Sequence, residues 1–328
     1  MCSTAWLEAT DFLETAGFCM ATPLNMILIF LIWELPIKTF GNYKYLMLSF
    51  SIFGIMYSAF DFWSKPLTAI YCSFYGMMLL LLTIHFYYRY LSVIGSPNLA
   101  RFHLRTFPIW VLFLALNNSI WFILSYYFHG ESDMKNQVVA PDLSKIYCLK
   151  PEEYTYLGPQ YFFKNNATGK FECHTSSFLS AGTLYVIMSV LFSLLIYFGT
   201  QTYHHLYKLG QIARFDSQNL QKQLFRTLVI QTCIPSVFMY FPVTCLFIFP
   251  LFGVTVDGLS SFIPISVAIY PCFEPIVAIY CIKPFRMRMI GDYHSLDLTI
   301  TKFMISAILT GCCHPKNTVN TLVLGTIA

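Results

Sequence analysis

Charged side chains are scarce in this chain of 328 residues. Lysine, arginine, aspartate and glutamate together make up 11% of it, whereas hydrophobic residues make up 56% and the mean hydropathy is +0.59. A soluble domain carries about 25% charged residues, so this deficit excludes an ordinary soluble protein. The net charge of +4 is also too small to indicate a nucleic-acid partner.

Signatures of catalysis and of cofactor binding are lacking as well. The sequence contains no glycine-rich nucleotide loop and no arrangement of Ser, His and Asp that periodicity would bring together. His174, His204 and His205 have no companion at the spacing of metal ligands. We therefore predict that the protein is not an enzyme and that it uses neither a cofactor nor a metal ion.

Two further absences concern targeting and transport. The first fifteen residues contain Glu8, Asp11 and Glu14 but no basic segment, which argues against a cleaved signal peptide and favours an uncleaved signal anchor. Internal repeats with paired broken helices, which mark inverted-repeat transporters, are not evident either.

Long apolar runs dominate what is present. A hydrocarbon core about 30 Å thick requires about 20 apolar residues of helix, and the chain supplies such a run seven times. The predicted spans one to seven are residues 12–33, 45–63, 67–90, 106–128, 178–198, 224–251 and 259–282. Because these runs are continuous and do not alternate, they favour helices over barrel strands. We predict an all-α membrane protein, a bundle of seven transmembrane helices over residues 1–290 followed by a tail, 291–328.

The distribution of charge predicts which side of the membrane each segment occupies. Lysines and arginines gather after spans one, three, five and seven, as in Arg101 and Arg105 or Lys222 and Arg226, while acids gather on the opposite side. Positive charge marks the cytoplasmic face. The amino terminus is therefore predicted to lie outside, the loop 129–177 to be exterior and the tail 291–328 to be cytoplasmic.

The exterior loop carries two features of secreted chains. Asn166 begins the N-glycosylation sequence Asn-Ala-Thr. Cys148 and Cys173 lie where a disulfide would persist, and Cys72 is predicted near the outer end of span three. The sequence leaves two pairings open, Cys148 with Cys173 or Cys72 with either one.

Few polar groups lie within the spans, and Arg89 and Glu274 stand out among them. Arg89 ends span three, where a guanidinium either reaches lipid phosphate or acts as a switch at the inner face, in contact with neighbouring helices or a docked partner. Glu274 in span seven is predicted to face the bundle, because a carboxylate at this depth is costly and marks a functional site. Pro271 and Pro275 flank it and permit a bend, and span six contains three further prolines.

Aromatic residues make up 18% of the chain, and many fall within the spans. Tyr71, Phe74 and Tyr75 lie in the outer part of span three and are candidates for contact with a ligand. Rings are also enriched at membrane interfaces in general, so this assignment rests on position alone.

Several motifs, taken in order and spacing, resemble one known family. They are GNYKYLM at 41–47 continuing into SFS at 49–51, HFYYRY at 85–90, QLFR at 223–226 with LVIQT at 228–232, YPCFEP at 270–275 and KPFR at 283–286. From Asn25 to Arg286 the chain resembles the nematode serpentine chemoreceptors of class r (Str), which include odorant receptors.

The resemblance implies a G-protein-coupled chemosensory receptor in the plasma membrane, in sensory-neuron cilia, with a small odorant-like ligand and a heterotrimeric G protein as partners besides membrane lipid. It implies that Arg89 and Tyr90 lie where such receptors engage the G protein. We predict that Glu274, Pro271, Pro275 and Arg286 belong to the same switch for G-protein coupling. Glu274 occupies a position where the family usually has aspartate. Pro284, Phe285 and Arg286 depart from a more polar family ending, which weakens the expectation of a short helix after span seven.

Two other functions are alternatives. A ligand-gated channel or small-molecule transporter would require a polar pathway across the membrane, whereas Glu274 stands alone in the inner half of the spans. A nonsignalling partner of another receptor would change only the trafficking of that receptor.

Overall fold

A computed structural model of the chain describes residues 5–34, 41–60, 66–148, 150, 154–164, 171–210, 215–252, 257–291 and 320–323. Within these ranges, helices occupy all seven predicted spans. Spans one to three are Ala5–Glu34, Tyr43–Phe60 and Pro66–Ile94, and span four is Phe107–Ile123 continued by a π-helical turn, Leu124–Phe128. Span five is Thr175–Gly210, span six runs through Phe215–Pro235, Ser236–Tyr240, Phe241–Ile248 and Phe249–Phe252, and span seven is Asp257–Cys281.

Five of the described helices, those of spans one, three, four, five and six, are long and apolar enough to cross a membrane by length and composition. In span seven the described apolar helix is shorter, Ile269–Cys281. We call the end of the bundle that carries the loop 129–177 the outer end, and the opposite end the inner end.

Span three lies at the centre of the bundle. In its most apolar window 78% of the residues are buried, against 11% in span four. It packs against spans two, four, five and six, and Phe86 approaches Gly199 of span five so closely that a Cβ there would lie 3.2 Å from the ring. Span three is therefore the helix from which inward-facing side chains reach most neighbours.

Span seven is joined to span one by a side chain that replaces a lost backbone bond. Pro275 has no N–H to donate to the carbonyl of Pro271, four residues earlier. The Asn25 amide donates to that carbonyl at 3.2 Å and to the carbonyl of Ala21 at 2.9 Å. The predicted proline site in span seven is thus stabilised from span one, as an apolar environment requires.

Span six changes its helical geometry directly after Pro235. The next five residues, Ser236–Tyr240, form a π-helical turn before the α-helix resumes. Such a turn inserts one extra residue and reorients the side chains that follow it. Met239 and Tyr240 are buried in the bundle as a result.

A short helix, Lys283–Gly291, follows span seven at the inner end, although the sequence weakened that expectation. Pro284 lies in its first turn, where a missing N–H costs no intrahelical bond. The carbonyl of Tyr280 that Pro284 leaves free accepts a hydrogen bond from Arg286 at 3.2 Å. Phe285 is fully buried and anchors the helix to the bundle.

The outer loop folds into a compact cap, which comprises the helix Asp133–Tyr147 and strands β1 (Tyr154–Leu157), β2 (Phe162–Lys164) and β3 (Phe171–Cys173). Strands β2 and β3 pair antiparallel. The ammonium group of Lys135 donates to the carbonyls of Phe128, Gly130 and Gly158 at 2.8–3.1 Å. One cation therefore joins the end of span four to the end of β1.

Two further hydrogen bonds attach the cap to other spans. The Tyr161 hydroxyl donates to the carbonyl of Phe247 in span six at 3.0 Å. The His129 ring and the Ser180 hydroxyl of span five lie 3.0 Å apart. The cap is thus anchored to spans four, five and six.

The structure contradicts both predicted disulfide pairings. Cys72 and Cys173 are free thiols, whereas Cys148 is disulfide-bonded. Since one sulfur atom forms one disulfide, Cys148 pairs with neither of them. Cys72 is held inside the helix of span three, and Cys173 is fixed opposite Phe162 in the hairpin. The predicted glycosylation site, Asn166, lies outside the described residues.

The structure also departs from the prediction at the carboxyl end. Asn320–Val323 forms strand β4, which pairs in parallel with β1, with Asn320 opposite Tyr154. These four residues therefore lie beside the cap at the outer end, whereas all of 291–328 was predicted to be a cytoplasmic tail. The membrane side of the rest of the tail stays a prediction.

Because the ammonium group of Lys135 is buried, we expect the stability of the cap to vary with pH. Burial lowers the pKa of Lys135 from 10.5 to about 8. Between these values the unfolded cap binds more protons than the folded cap, so the free energy of unfolding rises as the pH rises through this window. Lys135→Met is expected to abolish this increase of stability with pH. Melting temperatures of the purified chain, measured at several pH values between about 8 and 10.5, test this.

Lys145, an exposed lysine on the same helix, provides the matched control. Lys145→Met is expected to keep the wild-type dependence of melting temperature on pH. A wild-type slope in Lys135→Met would contradict the assignment.

Candidate functional site

A buried guanidinium lies at the inner end of span three. Arg89 is 2% exposed, and its Cζ lies 3.6 Å from the centre of the Tyr43 ring at the start of span two. Its Nη1 donates to Oε1 of Gln221 in span six at 2.9 Å. Nε and Nη2 have no hydrogen-bond partner among the described residues. The group is therefore enclosed in this arrangement and does not extend to the lipid surface.

Aromatic rings fix the position of this guanidinium. Tyr43 stacks on Tyr88 with ring centres 5.3 Å apart, and it contacts the His85 ring at 5.5 Å. The His85 Nε2 lies 3.2 Å from the carbonyl of Leu46, so span two holds the ring that precedes Arg89 by one turn. A cation over a tyrosine face is stabilised by about 0.5–2 kcal/mol.

Glu274 is the second buried ionisable group. It is 4% exposed, and its Oε2 has no hydrogen-bond partner within the described part of the chain. The backbone carbonyl of Glu274 accepts a hydrogen bond from the Gln231 amide of span six at 3.2 Å. Spans six and seven are therefore joined beside an unpaired carboxyl group.

A small cavity separates Glu274 from the side chains around Arg89. It has a volume of about 20 Å³, and residues of spans one, two, three, six and seven line it, among them Tyr43, His85, Gln231 and Glu274. A cavity of about 10–15 Å³ accommodates one water-sized particle. This cavity is thus too small for an odorant-sized molecule.

An aromatic cluster occupies the bundle on the outer side of Glu274. Tyr71 of span three stacks on Tyr57 of span two with ring centres 4.5 Å apart. Tyr75 contacts the Tyr240 ring of span six at 5.0 Å and the Trp121 ring of span four at 5.5 Å. These rings come from four spans, and Tyr270 of span seven, which lies near Tyr240 and Tyr57, adds a fifth span to the cluster.

Several polar atoms of this cluster lack partners. The hydroxyls of Tyr75, Tyr240 and Tyr270 and the Trp121 Nε1 are buried without a hydrogen-bond partner in the described residues. An unsatisfied buried polar group costs about 1–3 kcal/mol. Four of them in one cluster indicate a place where a hydrogen-bonding molecule would be stabilised.

The outer cluster and the inner polar groups are adjacent along span seven. Tyr270 precedes Glu274 by one helical turn, and residues so spaced lie on one face of a helix. Tyr240 and Gln231 similarly belong to one helix, span six, on either side of its π-helical turn. Spans six and seven therefore contribute to both regions.

The structure separates some predicted residues from these groups. Phe74 is buried, but its ring packs 6.2 Å from Phe53 of span two. Tyr90 is half-buried and packs against Phe198 and His205 of span five. Arg286 is exposed on the inner helix, away from the buried guanidinium.

Several other residues of the two regions were not predicted from the sequence. Asn25 and Gln231 are polar residues within apolar runs, and that signal would have identified them. Gln221 lies among other polar residues at the start of span six and carries no such signal. Tyr43, Trp121 and Tyr240 carry no such signal, because aromatic residues are frequent throughout the spans. No group of three potential His, Cys, Asp or Glu metal ligands occurs in the described part of the chain.

Span three packs closely against the Trp121 ring of the aromatic cluster at Gly76. A Cβ at this position of span three would overlap the indole ring of Trp121. Gly76→Ala is therefore expected to lower the free energy of unfolding by about 1–3 kcal/mol, the usual cost of overpacking. A thermal melt of the purified variant in detergent measures this.

Gly182 of span five is the matched control, since a Cβ there meets no atom within 4 Å. Gly182→Ala is expected to leave the melting temperature unchanged or to raise it, because alanine favours a helix by about 1 kcal/mol over glycine. Equal effects of the two substitutions would refute the packing described for Trp121.

Comparisons with known proteins agree with this architecture. The profile of the family described as serpentine type 7TM GPCR chemoreceptor Str matches residues 10–69 and 63–290. The crystal structure of squid rhodopsin superposes with a TM-score of 0.60 at 10% identity, over 94% of this chain and 87% of that one. At this identity the likeness shows the seven-helix fold alone.

Sequence relatives cover most of the chain. Serpentine receptor class r-10 of Caenorhabditis elegans is 28% identical, over 90% of this chain and 96% of its own length. The protein of the same name from Caenorhabditis briggsae is 26% identical over 88% and 92%, and G-protein coupled receptor str-217 of C. elegans is 24% identical over 81% and 84%. These relatives are receptors and not enzymes. The chain belongs to the serpentine seven-transmembrane G-protein-coupled chemoreceptor family Str.

Proposed function

We propose that this receptor binds a small odorant-like molecule within the helix bundle and activates a heterotrimeric G protein at its inner end. The observation that carries the proposal is the buried Arg89, which links spans three and six through Gln221 and has two nitrogen donors with no partner among the described residues. These free donors of Arg89 would be available to bind the G protein, which could reach them only after the helices at the inner end separate.

The contacts of Arg89 stabilise the closed arrangement modestly. A hydrogen bond to a charged group contributes about 1.5–3 kcal/mol, and the Tyr43 face adds a cation–π contact. Neither partner is a carboxylate. A ligand therefore needs a differential affinity of only a few kcal/mol to favour an arrangement in which span six has moved away.

The aromatic cluster supports the ligand half of the proposal. Tyr75, Tyr240 and Trp121 come from spans three, six and four and offer buried donors with no partner in the part of the chain that the structure describes. A molecule that accepts their hydrogen bonds would change the relative positions of these spans. Of the residues predicted for this role, Tyr71 and Tyr75 lie in the cluster.

The route from the cluster to the inner end follows spans six and seven. Tyr240 lies in the π-helical turn after Pro235, where a helix rearranges at low cost. Tyr270 lies one turn from Glu274, whose carbonyl is bound by Gln231 of span six. A shift at the tyrosines would thus be transmitted to the segment that carries Gln221.

The cellular setting is part of the same proposal. The pattern of basic segments favours an exterior amino terminus and an inner end that faces the cytoplasm. A chemosensory, olfactory role places the receptor in the plasma membrane of a sensory-neuron cilium. Screening odorants against cells that express the receptor with a calcium or cAMP reporter tests this role, and a response that persists without any G protein would favour a channel instead.

Substitutions at Arg89 and Gln221 test the switch itself. Gln221→Ala removes the hydrogen bond between spans three and six and is expected to raise basal signalling about threefold or more. Gln221→Glu replaces the amide with a carboxylate, which binds a guanidinium more strongly, and is expected to lower it. Arg89→Ala is expected to abolish activation with surface expression largely intact.

Lys222 is the matched control, since it is the next residue along span six and is exposed. Lys222→Ala is expected to leave basal signalling at the wild-type level. The same change in basal signalling in both Gln221 variants, or unchanged G-protein activation in Arg89→Ala, would contradict the switch.

A further inference from the structure

The disulfide of Cys148 has its second sulfur atom outside the described residues. Cys148 is disulfide-bonded, whereas the other cysteines that the structure describes are free thiols: Cys19, Cys72, Cys173, Cys233, Cys245, Cys272 and Cys281. The chain contains 11 cysteines in all. Elimination therefore leaves three candidate partners, which are Cys2 in the amino-terminal segment and Cys312 and Cys313 in the tail.

The backbone of Cys148 has an unusual conformation. Its φ is 59°, and within the described part of the chain it is the only residue other than glycine with a positive φ. It follows the cap helix Asp133–Tyr147 at the position where glycine is the usual residue, because a Cβ is unfavourable in the left-handed region. A covalent bond at the side chain would hold the backbone of Cys148 in this conformation.

The amino-terminal segment lies at the same end of the bundle as the cap. The last residue of span one, Glu34, forms an ion pair with Arg288 of the inner helix, with Oε2 and Nε 3.0 Å apart. Span one is a helix of 30 residues, about 45 Å long, so its first residue, Ala5, lies at the outer end. Cys2 precedes Ala5 by three residues, which extend over at most about 10 Å.

The membrane side distinguishes Cys2 from the two cysteines of the tail. A disulfide persists in the oxidising exterior, whereas cytoplasmic thiols are kept reduced. The acidic amino-terminal segment is predicted to be exterior, and the basic helix Lys283–Gly291 marks the inner end as cytoplasmic. The competing partner is Cys313, because strand β4 lies beside the cap and begins at Asn320, seven residues later. Cys2 alone combines the outer end with a predicted exterior location.

We propose that Cys148 forms a disulfide with Cys2 and so joins the cap to the segment that precedes span one. In this reaction a bond forms between the two Sγ atoms, and each thiol gives up one proton and one electron. A protein disulfide takes up the two electrons and two protons and becomes a dithiol. The bond is separate from the residues proposed for ligand binding and for G-protein coupling.

The proposed bond attaches a further part of the cap to the bundle. Lys135, His129 and Tyr161 anchor the cap to spans four, five and six, and Lys135 lies in the first turn of the cap helix. Cys148 follows the last residue of that helix. A bond to Cys2 would therefore hold the second end of the cap helix, ahead of span one.

Peptide mapping of the wild-type receptor tests the pairing directly. Free thiols are blocked with N-ethylmaleimide, and the purified receptor is digested without reductant by trypsin and a protease that cleaves after glutamate. One linked species is expected, with residues 1–8 joined to residues 146–152, and reduction separates it into two peptides. A bond from 146–152 to residues 303–316, which contain both tail cysteines, or to a second copy of 146–152 would overturn the proposal.

Labelling of intact cells with a membrane-impermeant maleimide provides an independent test. Cys173→Ser is the background, because Cys173 is an exposed free thiol in the cap that would label in every variant. In this background Cys2→Ser is expected to release the thiol of Cys148, which is exposed, and to raise labelling by one thiol per receptor. Addition of Cys148→Ser is expected to return labelling to the background level.

The matched control combines Cys312→Ser with Cys313→Ser in the same background and is expected to leave labelling unchanged. A rise in this control, without a rise in Cys2→Ser, would assign the partner to the tail. Labelling of Cys148 in the background itself would show a free thiol and would equally refute the bond. Should Cys2→Ser fail to reach the cell surface, the wild-type peptide map decides the question alone, and none of these measurements depends on an odorant or a G protein.

Discussion

The inner end of the bundle depends on a buried guanidinium, Arg89, which has no carboxylate partner among the residues that the structure describes. Burying a charge is costly unless it is compensated, and Arg89 is compensated by the face of Tyr43 and the amide of Gln221. Both partners are neutral, so the closed arrangement is held by contacts of a few kcal/mol. That strength is appropriate for a two-state equilibrium that a small ligand can shift.

Prolines give the same bundle its capacity to rearrange. Pro275 leaves the carbonyl of Pro271 without a donor in its own helix, and Asn25 supplies one from span one. Span six contains a π-helical turn after Pro235, at the level of Tyr240. In an apolar environment each freed backbone group requires a new partner. The helices that bend are therefore those most closely joined to their neighbours by side chains.

The sequence predicted the spans because seven apolar runs of sufficient length leave few alternatives. It also drew attention to Arg89 and Glu274, since charges within apolar runs are conspicuous, and both side chains are buried; their role stays a prediction. Their partners were not predictable, because Tyr43 and Gln221 lie near helix ends where such residues are ordinary. The cap depends on long-range contacts such as that of Tyr161 with Phe247, which periodicity does not encode. The disulfide pairings failed for a similar reason, since cysteine spacing does not reveal the distance between sulfur atoms.

The most direct test of the account is the distance between the inner ends of spans three and six. Spin labels on unnatural residues at the exposed positions Ile94 and Lys222 would allow this distance to be measured by double electron–electron resonance. We predict a single short distance in the wild type and a second, longer population in Gln221→Ala. An identical distance distribution in both proteins would show that the Arg89–Gln221 hydrogen bond does not hold the inner end closed.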